Sequence, residues 1–405
     1  MSGAADSHFG CVVRSFASMF PARRFGGGAL AVYVDGQPVV DVWTGWSDRG
    51  GQRPWSEDTA PMVFSATKGM AATVIHRLAD RGLIDYDAPV AEYWPDFAAN
   101  GKAALTVRQV MRHQGGLSGL RGATMEDLLD HVAMERRLAA AAPGRLLGKS
   151  AYHALTFGWL MSGLARSVTG KGMAVLIREE LAAPLGTDGM YLGRPPAGAP
   201  TRAAEIILPK NMVGNPIVGY VTRKVANQLS GAYRSMYFKG IVGAVQGDIP
   251  LLDAEIPAAN GVVTARGLAR MYGAIANDGE VDGTQFLSRE LVAGLTGERS
   301  LRPDRNLFVP LAFHLGYHSL PIGNVMPGFG HVGLGGSVGW CDPATGIAFA
   351  LVHNRLLTPF VATDHAAFVA IYQLMRQAAA KARKHGLRPV TEYGAPYYQP
   401  GAATG

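Results

Sequence analysis

Two β-hairpins near opposite ends of the chain constrain its fold more than any other feature. Gly28 to Val34 and Pro38 to Trp43 are β-rich runs joined by Asp35-Gly36. Asp-Gly accepts the positive φ angles of a two-residue turn, so the stretch predicts a hairpin. Far along the chain, Ser337 to Cys341 and Ile347 to Asn354 read as strands joined by the turn Asp342-Pro343-Ala344-Thr345-Gly346, and Ala312 to His318 reads as another strand. The stretch from about Leu83 to Ser300 is mostly helical pattern broken by loops. In it, His153 to Val168 reads as one helix stopped by Gly170, and Leu268, Met271, Tyr272 and Ile275 mark a second, closed by Asn277-Asp278-Gly279. A last helix starts near His365. Strands at both ends with helices between imply an α+β fold, in which one antiparallel sheet is built from both termini and covered by helices. The expected division is a discontinuous sheet domain, 1–82 and 301–405, with a mostly helical domain, 83–300, inserted into it.

The length allows a large core: 405 residues, 48% hydrophobic and 17% charged. Net charge is +7, but the basic residues are scattered apart from Lys381, Arg383, Lys384 and Arg388. A solvated helix face explains that cluster, so no nucleic-acid partner is expected. Cys11 and Cys341 form neither a zinc spacing nor a disulfide framework. The N-terminus lacks a basic region followed by an apolar run, and no apolar stretch reaches the ~18 residues of a membrane helix. A cytoplasmic protein without a membrane span is therefore expected, with no metal and no cofactor. The residues from Gly394 to Gly405 read as a loose tail, and the oligomeric state is not legible.

The chemistry enters at Ser65-Ala66-Thr67-Lys68. An apolar segment leads into the serine, and Ala71, Val74, Ile75 and Leu78 follow at helical spacing until Gly82. Residues three apart on a helix share a face, so an amine stands beside a hydroxyl without any histidine. Such a Ser-x-x-Lys pair is one of the few ways to activate a serine nucleophile. With 17 serines and 9 lysines in the chain, chance supplies about 0.4 such pairs, so context must decide.

The order of several further stretches supplies that context. They are Val63-Phe-Ser-Ala-Thr-Lys68, Asp80-Arg-Gly-Leu-Ile-Asp-Tyr-Asp-Ala-Pro-Val90, Leu105-Thr-Val-Arg-Gln-Val-Met-Arg-His-Gln-Gly-Gly-Leu117, Pro143-Gly144 leading to Tyr152-His-Ala-Leu-Thr-Phe-Gly-Trp-Leu160, and Gly328-Phe-Gly-His-Val-Gly-Leu-Gly-Gly-Ser337. From Gly28 to about Asn354 the chain resembles the serine β-lactamase and penicillin-binding-protein superfamily. Within it the chain is similar to class C enzymes and closest to family VIII carboxylesterases. The resemblance implies a β-lactamase-like fold. It also implies catalytic roles for Ser65 as nucleophile, Lys68 as active-site lysine and Tyr152 as the tyrosine of the second motif. His331-Val332-Gly333 matches the third motif, and the implied oxyanion donors are the backbone N–H groups of Ser65 and Leu334. A free lysine is protonated at neutral pH, and burial lowers its pKa. Either neutral Lys68 takes the Ser65 proton, or a Tyr152 phenolate stabilised by Lys68 does.

The departures from the pattern bear on substrate. The resemblance implies an asparagine or serine at the position of Ala154, and a lysine and threonine at those of His331 and Val332. Ala154 and Val332 offer no side-chain hydrogen bond, and an unperturbed His331 is mostly neutral at pH 7. Sites that lose such anchors lose discrimination for amide-bearing, carboxylate-bearing substrates. The expectation is a serine hydrolase, a carboxylesterase acting on short to medium acyl esters by way of an acyl-enzyme. The alternatives are a β-lactamase, D-amino-acid peptidase or acyltransferase on the same fold, or a catalytically silent binding protein. Tyr233, Met236, Tyr237 and Phe238 read as core, with an acyl pocket as the other reading. A rival nucleophile stands in Gly335-Gly-Ser-Val-Gly339, followed by Asp342 and His353 in Ser-Asp-His order. A nucleophile elbow joins a strand to a helix, whereas Ser337 opens a strand that turns into another strand, so the motif is read as a decoy.

Overall fold

The structure, a computed structural model, describes residues 1–20, 26–119, 122–208, 250–296, 302–356, 358 and 360–393. Tyr233, Met236, Tyr237, Phe238 and the tail from Gly394 lie outside the described residues.

The main sheet draws strands from both ends of the chain. β1 (Ser2–Ala5), β2 (Gly27–Val34) and β3 (Gln37–Gly45) come from one end. β4 (Ala312–His314), β5 (Tyr317–Ser319), β6 (Phe329–Val332), β7 (Val338–Asp342) and β8 (Ile347–His353) come from the other. Their order is β1-β3-β2-β8-β7-β6-β5-β4, and each neighbouring pair is antiparallel. The two ends meet where β2 pairs with β8, Ala31 opposite Ala350. The β2–β3 turn is the expected one: Asp35 and Gly36 have φ of 49° and 75°, the signs a type I′ turn demands. The stretch read as one strand from Ala312 to His318 is instead a second tight hairpin. Leu315 and Gly316 both take positive φ, and β4 folds back on β5 with His314 opposite Tyr317.

Five helices matter for the site: α1 (Gly10–Ser18), α2 (Thr67–Asp80), α3 (Thr156–Thr169), α4 (Ala265–Ala276) and α5 (Val361–His385). Alternate side chains of β2 enter two different cores, as strand periodicity requires. Ala29, Ala31 and Tyr33 face α2, α3 and α4, while Leu30, Val32 and Val34 face α1 and α5. Each fully buried valine or leucine contributes about 1.5–3 kcal/mol relative to exposure. α4, counted by sequence with the segment 83–300, packs on β2, β7 and β8 of the sheet. α3 begins at Thr156 rather than His153, because Tyr152 and His153 are committed to hydrogen bonds elsewhere. Its stop at Gly170, φ 74°, is the expected left-handed cap.

Candidate active site

α2 is buried on nearly all sides; Lys68 lies in its first turn, and Ser65 in the 3-10 turn Phe64–Ala66 that runs directly into it. The residue before the serine, Phe64, takes φ of 48°, an uncommon conformation for an aromatic residue and one that concentrates at functional turns. The turn is pinned through Gly261, whose N–H donates to Thr67 Oγ1 at 2.9 Å and whose carbonyl accepts from Val63 N–H at 2.9 Å.

Lys68 is fully buried. Its Nζ lies 3.1 Å from Ser65 Oγ and donates to Ala154 O at 2.6 Å and to Ala258 O at 2.9 Å. No carboxylate pairs with it among the described residues, and burial drives its pKa well below the ordinary amine value. The Ala258 carbonyl comes from a turn held by Asn260, which accepts from Ile256 N–H and donates to Leu251 O and Ala254 O. Gly158 of α3 lets that turn approach, since a Cβ there would stand 2.4 Å from Ala258 N.

Tyr152 reaches Ser65 from the other side. Burial raises the pKa of its phenol, and the neighbouring Ser65 side chain opposes the rise only in part. Lys68 Nζ sits 4.9 Å from the tyrosine ring centroid. The backbone of Tyr152 is clamped. Its N–H donates to both carboxylate oxygens of Asp304 at 3.0 Å, and its carbonyl accepts from Asn306 Nδ2 at 2.9 Å. Its ring stacks on Phe313 at 5.3 Å and packs against His113 at 5.0 Å.

A set of buried imidazoles supports this wall. His113 Nδ1 accepts from His153 N–H, and His153 Nε2 accepts from Leu117 N–H, both at 3.0 Å. His318 Nε2 accepts from Val332 N–H at 3.1 Å. Burial lowers the pKa of His153 to about 4 and of His318 to about 3, so both are neutral at pH 7. His331 stands 6.2 Å from the Tyr152 ring, and burial, then His318, push its pKa well below 6.5.

After β6, Gly333 N–H donates to Ser337 O and Gly336 N–H to Gly333 O, which closes a turn. Within that turn the Leu334 N–H donates to no acceptor among the described residues. Gly333 lies against the segment before Ser65, where a Cβ would sit 2.2 Å from Val63 O. Sequence reading missed Ala258, Asn260, Asp304, Asn306 and Phe313, and gave His113 no role. The contacts of Ala258, Asp304, Asn306 and Phe313 with Lys68 and Tyr152 span long sequence separations, and the local turn that Asn260 holds carries no signature of that role. Ser337 is buried, and its hydroxyl accepts from His353 N–H at 3.2 Å. Asp342 binds Thr345 and Tyr372 instead of His353. Ser337, Asp342 and His353 form no triad.

The Beta-lactamase family model matches residues 13–374. The chain belongs to the Beta-lactamase family. Its similarity to "Esterase/beta-lactamase LipL" of Mycobacterium tuberculosis is 76% identity over 404 residues, covering 100% of this chain and 94% of the relative. Among solved structures, a family VIII carboxylesterase is 34% identical at a TM-score of 0.76, covering 91% of this chain and 99% of its own. A penicillin-binding-protein homologue from Caulobacter crescentus is 31% identical at a TM-score of 0.76, with the same coverage of 91% and 99%. This member of the Beta-lactamase family is a serine hydrolase with the β-lactamase-like α+β fold. Among the described residues no helix is long and apolar enough to cross a membrane.

Proposed function

We propose that the chain is a carboxylesterase that hydrolyses short to medium acyl esters through an acyl-enzyme on Ser65. The observation that carries the reading is the environment of Lys68. A neutral amine has two N–H groups and one lone pair. The carbonyls of Ala154 and Ala258 take the two N–H groups, which leaves the lone pair for the Ser65 hydroxyl. Burial without a carboxylate favours that neutral form. Tyr152, with its pKa raised, remains a phenol and serves better as a proton donor than as a base.

The reaction then runs in two halves. Ser65 Oγ attacks the ester carbonyl carbon as its proton passes to Lys68 Nζ. The tetrahedral oxyanion is held by the N–H groups of Ser65 and Leu334. The C–O bond breaks, Tyr152 protonates the leaving alkoxide, and Lys68 returns a proton to Tyr152. Water repeats the sequence on the acyl-enzyme, yielding the acid and free Ser65.

The choice of ester over amide rests on what faces the site. Ala154 and Val332 bring no polar side-chain atom, and His331 is kept neutral, so these three positions offer no cation to a substrate carboxylate. Turnover of a p-nitrophenyl ester against turnover of nitrocefin tests the reading, and a dominant nitrocefin rate would sink it. The name of the relative from Mycobacterium tuberculosis covers both activities, which favours a slower β-lactamase reaction at the same serine as the second reading. Labelling with a fluorophosphonate followed by peptide mapping tests the assignment of Ser65.

A further inference from the structure

Two loops beside Tyr152 are tied to each other. Residues 144–150 lead into it, and residues 302–310 carry Asp304 and Asn306, which clamp it. Arg305 N–H donates to Ser150 O at 3.0 Å, and Ser150 Oγ donates to Asp304 Oδ2 at 3.1 Å. Asp304 is the one carboxylate in either loop. It is buried, and its oxygens accept from the N–H groups of Tyr152, Asn306 and Leu307.

What these loops show to solvent is therefore cationic and apolar only. Arg145, Lys149 and Arg305 are exposed, and none has a carboxylate partner among the described residues. Several other exposed arginines are matched, Arg53 with Glu205, Arg194 with Asp253 and Arg383 with Asp35; what sets these two loops apart is that exposed cations and exposed apolar side chains occur together in them. The same two loops carry the exposed apolar side chains Leu147, Val309 and Phe308, the last 56% exposed. Phe308 also takes φ of 58°. A bulky residue in the left-handed region costs free energy, and here that cost presents an aromatic ring to water.

We propose that this rim docks the protein on an anionic phospholipid surface. Leu147, Phe308 and Val309 would enter the boundary between headgroups and acyl chains, and Arg145, Lys149 and Arg305 would meet the phosphates. Apolar side chains interleaved with cations suit that boundary, where aromatic and aliphatic groups insert and lysine or arginine finds lipid phosphate. A second copy of the chain fits poorly, because a twofold contact would set the same unpaired cations against each other. The net charge of +7 adds a long-range attraction to an anionic surface. Docking needs no turnover, so it stands apart from the esterase reading.

The test is co-sedimentation of the Ser65→Ala protein with vesicles of phosphatidylcholine alone and of equal parts phosphatidylcholine and phosphatidylglycerol. Binding to the mixed vesicles only, weakened by salt, is the expected result. Combined Arg145→Gln, Lys149→Gln and Arg305→Gln should weaken it about 100-fold, since each surface cation contributes about fivefold. Phe308→Asn should weaken it about 10-fold, and asparagine tolerates the left-handed backbone. The same four substitutions on Ser65-intact protein should leave turnover of a water-soluble ester unchanged, which shows that the variants fold. Equal binding to both vesicles, no binding to either, or full binding by the triple variant would overturn the proposal. Binding to duplex DNA as tight as to the mixed vesicles and indifferent to Phe308→Asn would reassign the rim to a nucleic acid.

Discussion

Ser65 stands in the tight turn that leads into a buried helix, half-buried, with a lysine whose pKa burial lowers and a phenol within reach of its hydroxyl. Ser337 stands just before a strand, buried, with its hydroxyl bound to the backbone of the neighbouring strand. Both occupy motifs that sequence reading associates with nucleophiles. One has a proton acceptor that itself lacks a carboxylate partner, and a substrate can approach it. The other serves as a spacer between strands, and its nearest histidine, His353, accepts from Arg355 N–H instead. Reactivity follows from the surroundings of a serine, and motif text alone does not distinguish the two.

A graded series of substitutions separates the two serines. Ser65→Ala and Lys68→Ala should each lower ester turnover more than ~10³-fold, as loss of a nucleophile or its base does. Wild-type rate in either variant would dissolve the distinction. Tyr152→Phe keeps the ring packing and removes the acid, and should lower kcat about 10²-fold; an unchanged kcat with a leaving group as basic as an alkyl alkoxide would remove Tyr152 from the mechanism. Asp304→Ala frees the Tyr152 backbone and should cost about 10-fold in kcat with little change in KM. A pure KM effect would mean that Asp304 shapes binding and leaves the phenol where it was.

Acid probes what the two regions share, buried neutral imidazoles. His153 and His318 lie near Ser65, with pKa lowered to about 4 and about 3, and His353 lies beside Ser337, lowered to about 3. All three depart from a free value of 6.5. Below that pH the unfolded chain takes up protons that the folded chain refuses, so stability falls as pH falls. The loss begins near pH 6.5 and continues until each folded pKa is reached, at about 1.4 kcal/mol per pH unit for each histidine. Urea midpoints measured at pH 7 and pH 5 should therefore drop on the acid side; a flat profile would mean that these imidazoles are not buried neutral. Ser337→Ala is the smallest change. It should cost about 1 kcal/mol in stability through lost backbone hydrogen bonds and leave ester turnover untouched.

Much of the fold is legible in the chain text. The Asp35-Gly36 turn, the strands about Asp342 to Gly346 and the helix after Ser65 all follow from short-range rules. The miss at Ala312 to His318 has a local cause as well: Leu315 takes a positive φ that leucine rarely adopts, so no turn signal marks the hairpin. The decoy at Ser337 was legible too, because strand-turn-strand context excludes an elbow.

The Ser-x-x-Lys spacing alone sets Ser65 and Lys68 about one turn apart at the entry to a helix, and the structure keeps that spacing across the junction of a 3-10 turn and α2. Tertiary structure alone decided that the Lys68 pKa falls well below the ordinary amine value. That depends on burial and on carbonyls 86 and 190 residues away. It decided likewise that Tyr152 is held by a carboxylate 152 residues distant, and that scattered cations gather on one rim with Phe308. Desolvation and charge spacing are properties of a three-dimensional surrounding, and no window of neighbouring residues contains them.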